Sequence, residues 1–73
     1  MPLHHLLQNE AFEPLHIEAM VFAFEAICLE LKLHDRPDDP LREVVAIKII
    51  ELAKRGERDP IRLRDQVLAI MKG

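Results

Sequence analysis

Histidine is the residue of this sequence with the widest chemistry, because imidazole binds transition metals and transfers protons near neutral pH. The 73-residue chain has four histidines. His4 and His5 are adjacent, so on a helix their side chains would point about 100° apart and would not easily share one ion. His16 and His34 would lie about 27 Å apart along a continuous helix. No two His or Cys residues are four positions apart, and the pattern therefore predicts neither a metal site nor a cofactor.

His16 allows a second interpretation, a phosphotransfer site on a long helix. Such a histidine would project into solvent beside a lysine and small residues, whereas the next residues here are Ile17, Glu18 and Ala19. On a helix His16 also falls on the same side as Met20, which is apolar. We therefore expect His16 to be a structural residue at a helix start, bonded to a backbone group or to an interface.

Nucleophilic side chains are scarce. The chain has no serine or threonine and one cysteine, Cys28. A reactive thiol needs cationic or helix N-terminal surroundings that lower its pKa, whereas Cys28 is close in sequence to Glu25 and Leu29. We expect Cys28 to be a small hydrophobic residue at the edge of an interface. Because a chain with two glycines also has no glycine-rich phosphate loop, the sequence predicts that the protein is not an enzyme.

Basic residues in the second half of the chain suggest a nucleic-acid surface as an alternative function. They are Lys54, Arg55, Arg58, Arg62 and Arg64. In a helix-turn-helix arrangement the last helix would enter the major groove of DNA. Glu57, Asp59 and Asp65 interrupt the basic residues, and the net charge of the chain is -3. A small DNA-binding regulator is therefore the second interpretation, and nucleic acid is the less favoured partner.

Three acid–proline pairs mark the elements on which these residues would lie: Glu13-Pro14, Asp39-Pro40 and Asp59-Pro60. An acidic residue before a helix accepts hydrogen bonds from free N–H groups of the first turn, and proline at the first helical position has no N–H to lose. Lys54-Arg55 followed by Gly56 is typical of a helix end. These boundaries predict helices over Pro14–Leu33, Pro40–Arg55 and Pro60–Lys72.

The fold class that follows is all-α, with a long helix followed by a two-helix unit in a single helical domain over residues 1–73. No alternating strand pattern competes with the helical periods. Residues 1–11 contain Leu3, Leu6 and Leu7. They are compatible either with a short N-terminal helix or with a flexible arm against the body, and the sequence leaves both open.

Apolar residues at helical spacing predict which face of each helix is buried. The expected core residues are Met20, Phe24, Ile27 and Leu31, then Leu41, Val45, Ile49 and Leu52 with Ala46 and Ala53 at the edge, then Leu63, Val67 and Ile70. Further apolar residues, such as Ile50 and Leu68, lie outside these faces. In an antiparallel hairpin of the first two helices, Glu30 would lie near Arg42 and could pair with it.

The first predicted helix is apolar nearly all round, interrupted by a polar ridge of Glu18, Glu25 and Lys32. Around this ridge lie Leu15, Phe22, Leu29 and Leu33. A bundle with only two other short helices would leave these four residues exposed. Because burial of a leucine or phenylalanine side chain contributes about 1.5–3 kcal/mol, the sequence predicts that the four form the interface of a homodimer built on the long helix.

One segment of the second half resembles a known group. Ala46–Leu68 includes the residues IIELAKRGERDPIRLRDQVL, and it is similar to a segment of small uncharacterised bacterial helical proteins. The similarity rests on the L-A-x-x-G turn that ends at Gly56 and on an aspartate-capped helix with Leu63, Val67 and Leu68. It implies a compact helical hairpin and a bacterial origin, and it implies no activity.

The composition indicates in which cellular environment the protein is expected to act. The chain has 32% charged residues, no apolar run of membrane-spanning length and no signal-peptide pattern. One cysteine cannot form an internal disulfide, which fits a reducing compartment such as the cytoplasm. We expect a non-enzymatic helical protein–protein interaction or regulatory module that acts as a homodimer in the cytoplasm, with a further protein as a possible partner and no membrane.

Overall fold

A computed structural model describes residues 12–73 of the chain. These residues form three α-helices that contact one another, α1 (Pro14–Glu30), α2 (Pro40–Lys54) and α3 (Pro60–Lys72), and they contain no strand. Within this described part, no helix has the length and apolar character needed to cross a membrane. The all-α prediction of a long helix and a two-helix unit is confirmed, while the choice between an arm and a short helix for residues 1–11 lies outside the described residues.

Each helix begins at the proline of an acid–proline pair, as the sequence predicts. The Asp39 carboxylate accepts a hydrogen bond from the Leu41 N–H at 2.9 Å. The Asp59 carboxylate accepts from the Ile61 N–H at 2.8 Å and from the Arg62 N–H at 3.4 Å. The start of α1 has no side-chain cap bond. Aspartate therefore fixes the starts of α2 and α3 locally, and the start of α1 depends on tertiary contacts.

The Asp59 cap gives a direct test of where α3 begins. Asp59→Ala should lower the free energy of unfolding by about 0.5–2 kcal/mol, because two N–H groups of the first turn lose their acceptor. Asp38→Ala is the matched control, since Asp38 is exposed and lies outside the helices. Gln66 is unsuitable as a control because its amide donates to the Glu57 carboxylate at 2.8 Å. Equal denaturation midpoints for the two alanine variants would contradict this start of α3.

α1 ends at Glu30, earlier than the predicted end at Leu33. Lys32 has a left-handed backbone with φ of 60°. The Lys32 N–H donates to the Leu29 oxygen at 3.2 Å, and the Leu33 N–H donates to the Cys28 oxygen at 2.7 Å. These two bonds form a Schellman motif, which reverses the chain and turns the following residue back onto the helix. As a result Leu33 is 3% exposed and belongs to the core.

The end of α2 has the same motif with a glycine in the left-handed position. Gly56 has φ of 101°. Its N–H donates to the Ala53 oxygen at 3.0 Å, and the Glu57 N–H donates to the Leu52 oxygen at 3.2 Å. A Cβ at Gly56 would meet no atom within 4 Å, so the need for glycine comes from the backbone conformation alone. The predicted stop at Gly56 is confirmed.

The core is formed by side chains of all three helices together with Leu33. Its largest fully buried members are Met20, Phe24, Ile27, Val45, Ile49, Leu63 and Val67. All seven lie on faces that the sequence predicts to be buried. On α1 and α3, two predicted core residues differ: Ile70 lies in the last turn of α3 and is exposed, and Leu31 caps the end of α1 and is partly buried.

The buried face of α2 differs from the predicted one by a rotation of about 70°, at 100° per residue. Ala46, Ile50 and Ala53 are buried, whereas Leu41 is exposed and Leu52 is only partly buried. The predicted face followed the larger aliphatic side chains. Alanines instead face inward here, because small side chains let helices approach each other closely.

Glu30 and Arg42 do not form the ion pair that the sequence suggests. The Arg42 Nη1 donates to the Leu33 backbone oxygen at 2.8 Å, and the guanidinium carbon lies 5.3 Å from the centroid of the Phe24 ring. The Glu30 carboxylate lies 3.4 Å from the Lys72 Nζ instead. The prediction is wrong because Glu30 faces α3, and because the reversal after α1 places a free carbonyl group within reach of Arg42.

Candidate functional site

His16 is buried near the start of α1. Its Nε2 lies 2.9 Å from the backbone oxygen of Glu57, and the Phe12 ring packs edge-to-face on it with 5.0 Å between centroids. Because a carbonyl oxygen only accepts, Nε2 carries the proton and donates it. The expected backbone-bonded structural histidine is confirmed. It ties the start of α1 to the turn between α2 and α3.

Cys28 lies deeper than the sequence indicates. It was expected at the edge of an interface, but it is buried in the core of the bundle. Burial raises the pKa of the Cys28 thiol, the Arg42 cation opposes this effect, and Glu25 adds to it. A buried thiol with a raised pKa has little thiolate near neutral pH and is a poor nucleophile. Cys28 is therefore a packing residue.

Metal-binding side chains are dispersed over the described residues. Between residues 12 and 73, no group of three or more His, Cys, Asp and Glu side chains converges as a metal site would require. His34 is exposed in the connection between α1 and α2, away from His16 at the other end of α1. His4 and His5 lie outside the described residues.

Most of the basic cluster contacts acidic side chains. Arg58 lies 3.3 Å from Glu13, Arg62 lies 3.1 Å from Glu57, and Arg64 lies 2.9 Å from Asp65, measured between nitrogen and oxygen atoms. The negative charge of these carboxylates offsets part of the positive charge that a phosphate backbone would meet. The arrangement forms a mixed surface of both charges at the α2–α3 turn, rather than a continuous basic patch.

The outer strip, which we define as Leu15, Phe22 and Leu29, consists of exposed apolar side chains on α1. These side chains are 77%, 51% and 62% exposed, respectively. They are spaced by seven residues, so they lie in one line over about 21 Å of α1. Leu33, the fourth residue of the predicted interface, does not belong to it because the chain reversal after α1 buries it in the core.

Small and acidic residues border the outer strip on its two sides. Ala19 and Ala26 lie on one side and are half-buried, and Glu18 and Glu25 lie on the other side and are exposed. Together the leucines, the phenylalanine and the alanines repeat at alternating spacings of four and three. This is the spacing of the contact positions in a coiled coil, with the glutamates at the flanking positions where charges select a partner. α1 thus has one seam in the core and a second seam that faces outward.

The alanine side of the outer strip opens into a groove between α1 and α3. The groove has a volume of about 380 Å³ and is lined by Ala26, Leu29, Glu30, Arg64, Asp65 and Leu68. Leu29 of the outer strip forms one wall, and Arg64 and Leu68 of α3 form the opposite wall. A helix that packed on the outer strip would therefore also contact α3.

Other exposed apolar residues do not form a comparable line. Leu41, Val44 and Ile47 on α2 are three positions apart, so each lies about 60° further around the helix than the last. Ile61 and Ile70 are exposed at opposite ends of α3. Sequence reasoning identified the three residues of the outer strip, but it missed the exposure of Leu41 and the groove beside α3. The groove has no sequence signal, because it depends on how α1 and α3 pack.

A second cleft lies on the other side of α1. It has a volume of about 350 Å³ and is lined by Phe24, Glu25, Cys28, Leu29, His34 and Arg42. The Arg42 Nε in its wall is buried and has no hydrogen-bond partner among the described residues. Since the guanidinium already binds the Leu33 oxygen and stacks on Phe24, its arrangement is explained by packing of the α1–α2 connection.

Comparisons with known proteins identify no relative of the chain. No family model, no curated protein and no solved structure matches the chain. The resemblance of Ala46–Leu68 to small bacterial helical proteins therefore stays a prediction, and the outer strip and its borders are the basis for a functional proposal.

Proposed function

We propose that the protein is a non-enzymatic interaction module that self-associates through the outer strip of α1. The observation that carries this proposal is the line of exposed side chains at Leu15, Phe22 and Leu29. The bundle already buries a complete core on the opposite side of the same helix. A second apolar seam on a helix of this kind is typical of a surface that packs on another helix.

The energetics favour a dimer of modest affinity. Full burial of a leucine or phenylalanine side chain contributes about 1.5–3 kcal/mol, and a two-fold interface counts each residue of the strip twice. Half of the Phe22 surface is already covered in the monomer, which reduces its share. The loss of translational and side-chain freedom on association offsets part of the free energy gained by burying these side chains. The proposed dimer thus forms and dissociates over an accessible concentration range, which suits a regulatory module in the cytoplasm.

A role in DNA binding is the competing proposal, and the structure gives it less support. Its cations at Arg58, Arg62 and Arg64 each contact a carboxylate. A DNA-binding protein would bind any duplex with an affinity that falls steeply as salt concentration rises. Titration of a fluorescent duplex at two salt concentrations separates the two proposals, and we expect no salt-dependent binding.

Light scattering across a dilution series tests self-association. The wild type should show twice the monomer mass at high micromolar concentration, and Phe22→Glu should shift it towards the monomer because two carboxylates would enter an apolar interface near Glu18 and Glu25. Ile47→Glu is the control, since Ile47 is exposed in the middle of α2 and lies off the outer strip. A folded wild type that stays monomeric throughout, or an equal loss of mass in both variants, would contradict the proposal.

A further inference from the structure

The charges beside the outer strip point to a parallel pairing of two copies, in which Glu25 of each α1 faces Arg64 of the partner subunit. This inference rests on the proposed self-association and specifies its geometry. The two-fold axis would run along the paired α1 helices, with each residue of the outer strip next to its own copy.

The two sides of the outer strip differ in what they offer a partner. At about 100° per residue, Glu18 and Glu25 lie about 40–60° to one side of Phe22, and Ala19 and Ala26 lie about as far to the other. α3 is on the alanine side, because Ala26 and Arg64 line the same groove. The ion pair between Glu30 and Lys72 places the end of α3 on that side as well.

This asymmetry distinguishes the two ways of pairing α1 with its copy. In an antiparallel pair each flank meets the same flank of the partner, so Glu18 would lie opposite Glu25 of the partner subunit, and like charges would repel twice. In a parallel pair each flank meets the opposite flank. The glutamates of one copy then lie over the alanines of the other and face its α3.

The parallel arrangement supplies the glutamates with a cation. Neither Glu18 nor Glu25 forms an ion pair or a side-chain hydrogen bond with any residue from 12 to 73. In a parallel pair in register, Glu25 lies level with Ala26 of the partner subunit, in the groove that also contains Arg64. Arg64 contacts Asp65, its neighbour in the sequence, at an exposed site. A guanidinium has five donors, so a second carboxylate can be bound without loss of the first.

Cysteine cross-linking tests the orientation. In a Cys28→Ala background, the variants Leu15→Cys, Phe22→Cys and Leu29→Cys are each oxidised by air with a copper catalyst and separated on a non-reducing gel. A disulfide needs Cα atoms about 4.4–6.8 Å apart. In a parallel pair all three variants should cross-link to themselves. In an antiparallel pair Leu15 would lie about 21 Å from its own copy, so that only Phe22→Cys, or a mixture of the Leu15→Cys and Leu29→Cys chains, would cross-link.

The outcomes separate the orientation from self-association itself. Cross-linking of Phe22→Cys or of the mixed chains, without homotypic cross-linking of Leu15→Cys and Leu29→Cys, overturns the parallel geometry and leaves the dimer standing. No cross-linking of any folded variant, with a wild type that scatters as a monomer, overturns both.

A charge exchange tests the proposed contact between subunits independently of cysteine chemistry. Glu25→Arg and Arg64→Glu should each weaken the dimer about two- to fivefold, as expected for exposed ion pairs. The double variant Glu25→Arg/Arg64→Glu should restore the affinity. Additive weakening in the double variant would show that the two residues do not meet.

Discussion

Phe24→Ala should lower the free energy of unfolding by roughly 3–5 kcal/mol, the range for removing a fully buried aromatic ring. The Phe24 side chain is 1% exposed and also lies under the Arg42 guanidinium. A single domain of this size rarely has more than about 3–5 kcal/mol of stability from its core. We therefore expect the variant to be largely unfolded at room temperature, as measured by circular dichroism during urea denaturation.

Phe22→Ala is the matched control, since Phe22 is on the same helix two residues earlier and is 51% exposed. Its unfolding free energy should change by about 1 kcal/mol or less, provided that the protein is dilute enough to be monomeric, because dimerisation would otherwise add to the apparent stability. At the higher concentrations used for light scattering, the mass of Phe22→Ala should be lower than that of the wild type. Equal destabilisation by the two substitutions would mean that α1 is rotated about its axis so that Phe22 is also buried.

Leu33→Ala should lower the free energy of unfolding by about 2–5 kcal/mol, as for other buried leucines. The Leu33 side chain enters the core after the chain reversal at Lys32, and its backbone groups bind Cys28 and Arg42. Self-association at subunit concentrations where the variant stays folded should be unchanged. Urea denaturation and light scattering measure the two effects separately.

Leu29→Ala is expected to give the opposite result. Leu29 is 62% exposed and belongs to the outer strip, so its removal should change monomer stability by about 0.5 kcal/mol or less and should weaken the proposed dimer. If Leu33→Ala proved harmless to stability while abolishing the dimer, the four-residue interface predicted from the sequence would be right and the Schellman reversal would be wrong.

The starts of α2 and α3 could be predicted from the sequence because their signals are local. Asp39 and Asp59 bind N–H groups two or three residues away, and proline fixes its own φ. The end of α2 is equally local, since Gly56 marks a left-handed position that few other residues adopt. These features are set by chemistry within one turn of helix.

The end of α1 could not be predicted in this way because its left-handed residue is Lys32. A non-glycine residue in that conformation costs about 1–2 kcal/mol, so the sequence alone favours a continued helix. The burial of Leu33 and the hydrogen bond from Arg42 to its oxygen offset this cost. Both are tertiary interactions. They also explain why the sequence assigns Leu33 to the predicted dimer interface, whereas the structure buries it in the core.

The rotation of α2 and the groove beside α3 are also tertiary outcomes. Hydrophobic periodicity favours burial of Leu41 and Leu52 over burial of Ala46 and Ala53. The packing of three helices places the alanines inward instead. The groove joins Ala26 of α1 to Arg64 of α3, residues from helices whose relative placement no local pattern fixes. The outer strip of the candidate site was predictable from α1 alone, and the charged residue across the groove was not.

The hydrogen bond from His16 to Glu57 has a consequence for how the chain folds, because it joins residues 41 positions apart. The bond from Arg42 to the Leu33 oxygen spans nine. Closing the longer loop costs about 1.3 kcal/mol more in chain entropy, at roughly 0.6 kcal/mol per doubling of length. We therefore expect the two short connections to form early, and the first turn of α1 to close on the α2–α3 turn late in the folding reaction.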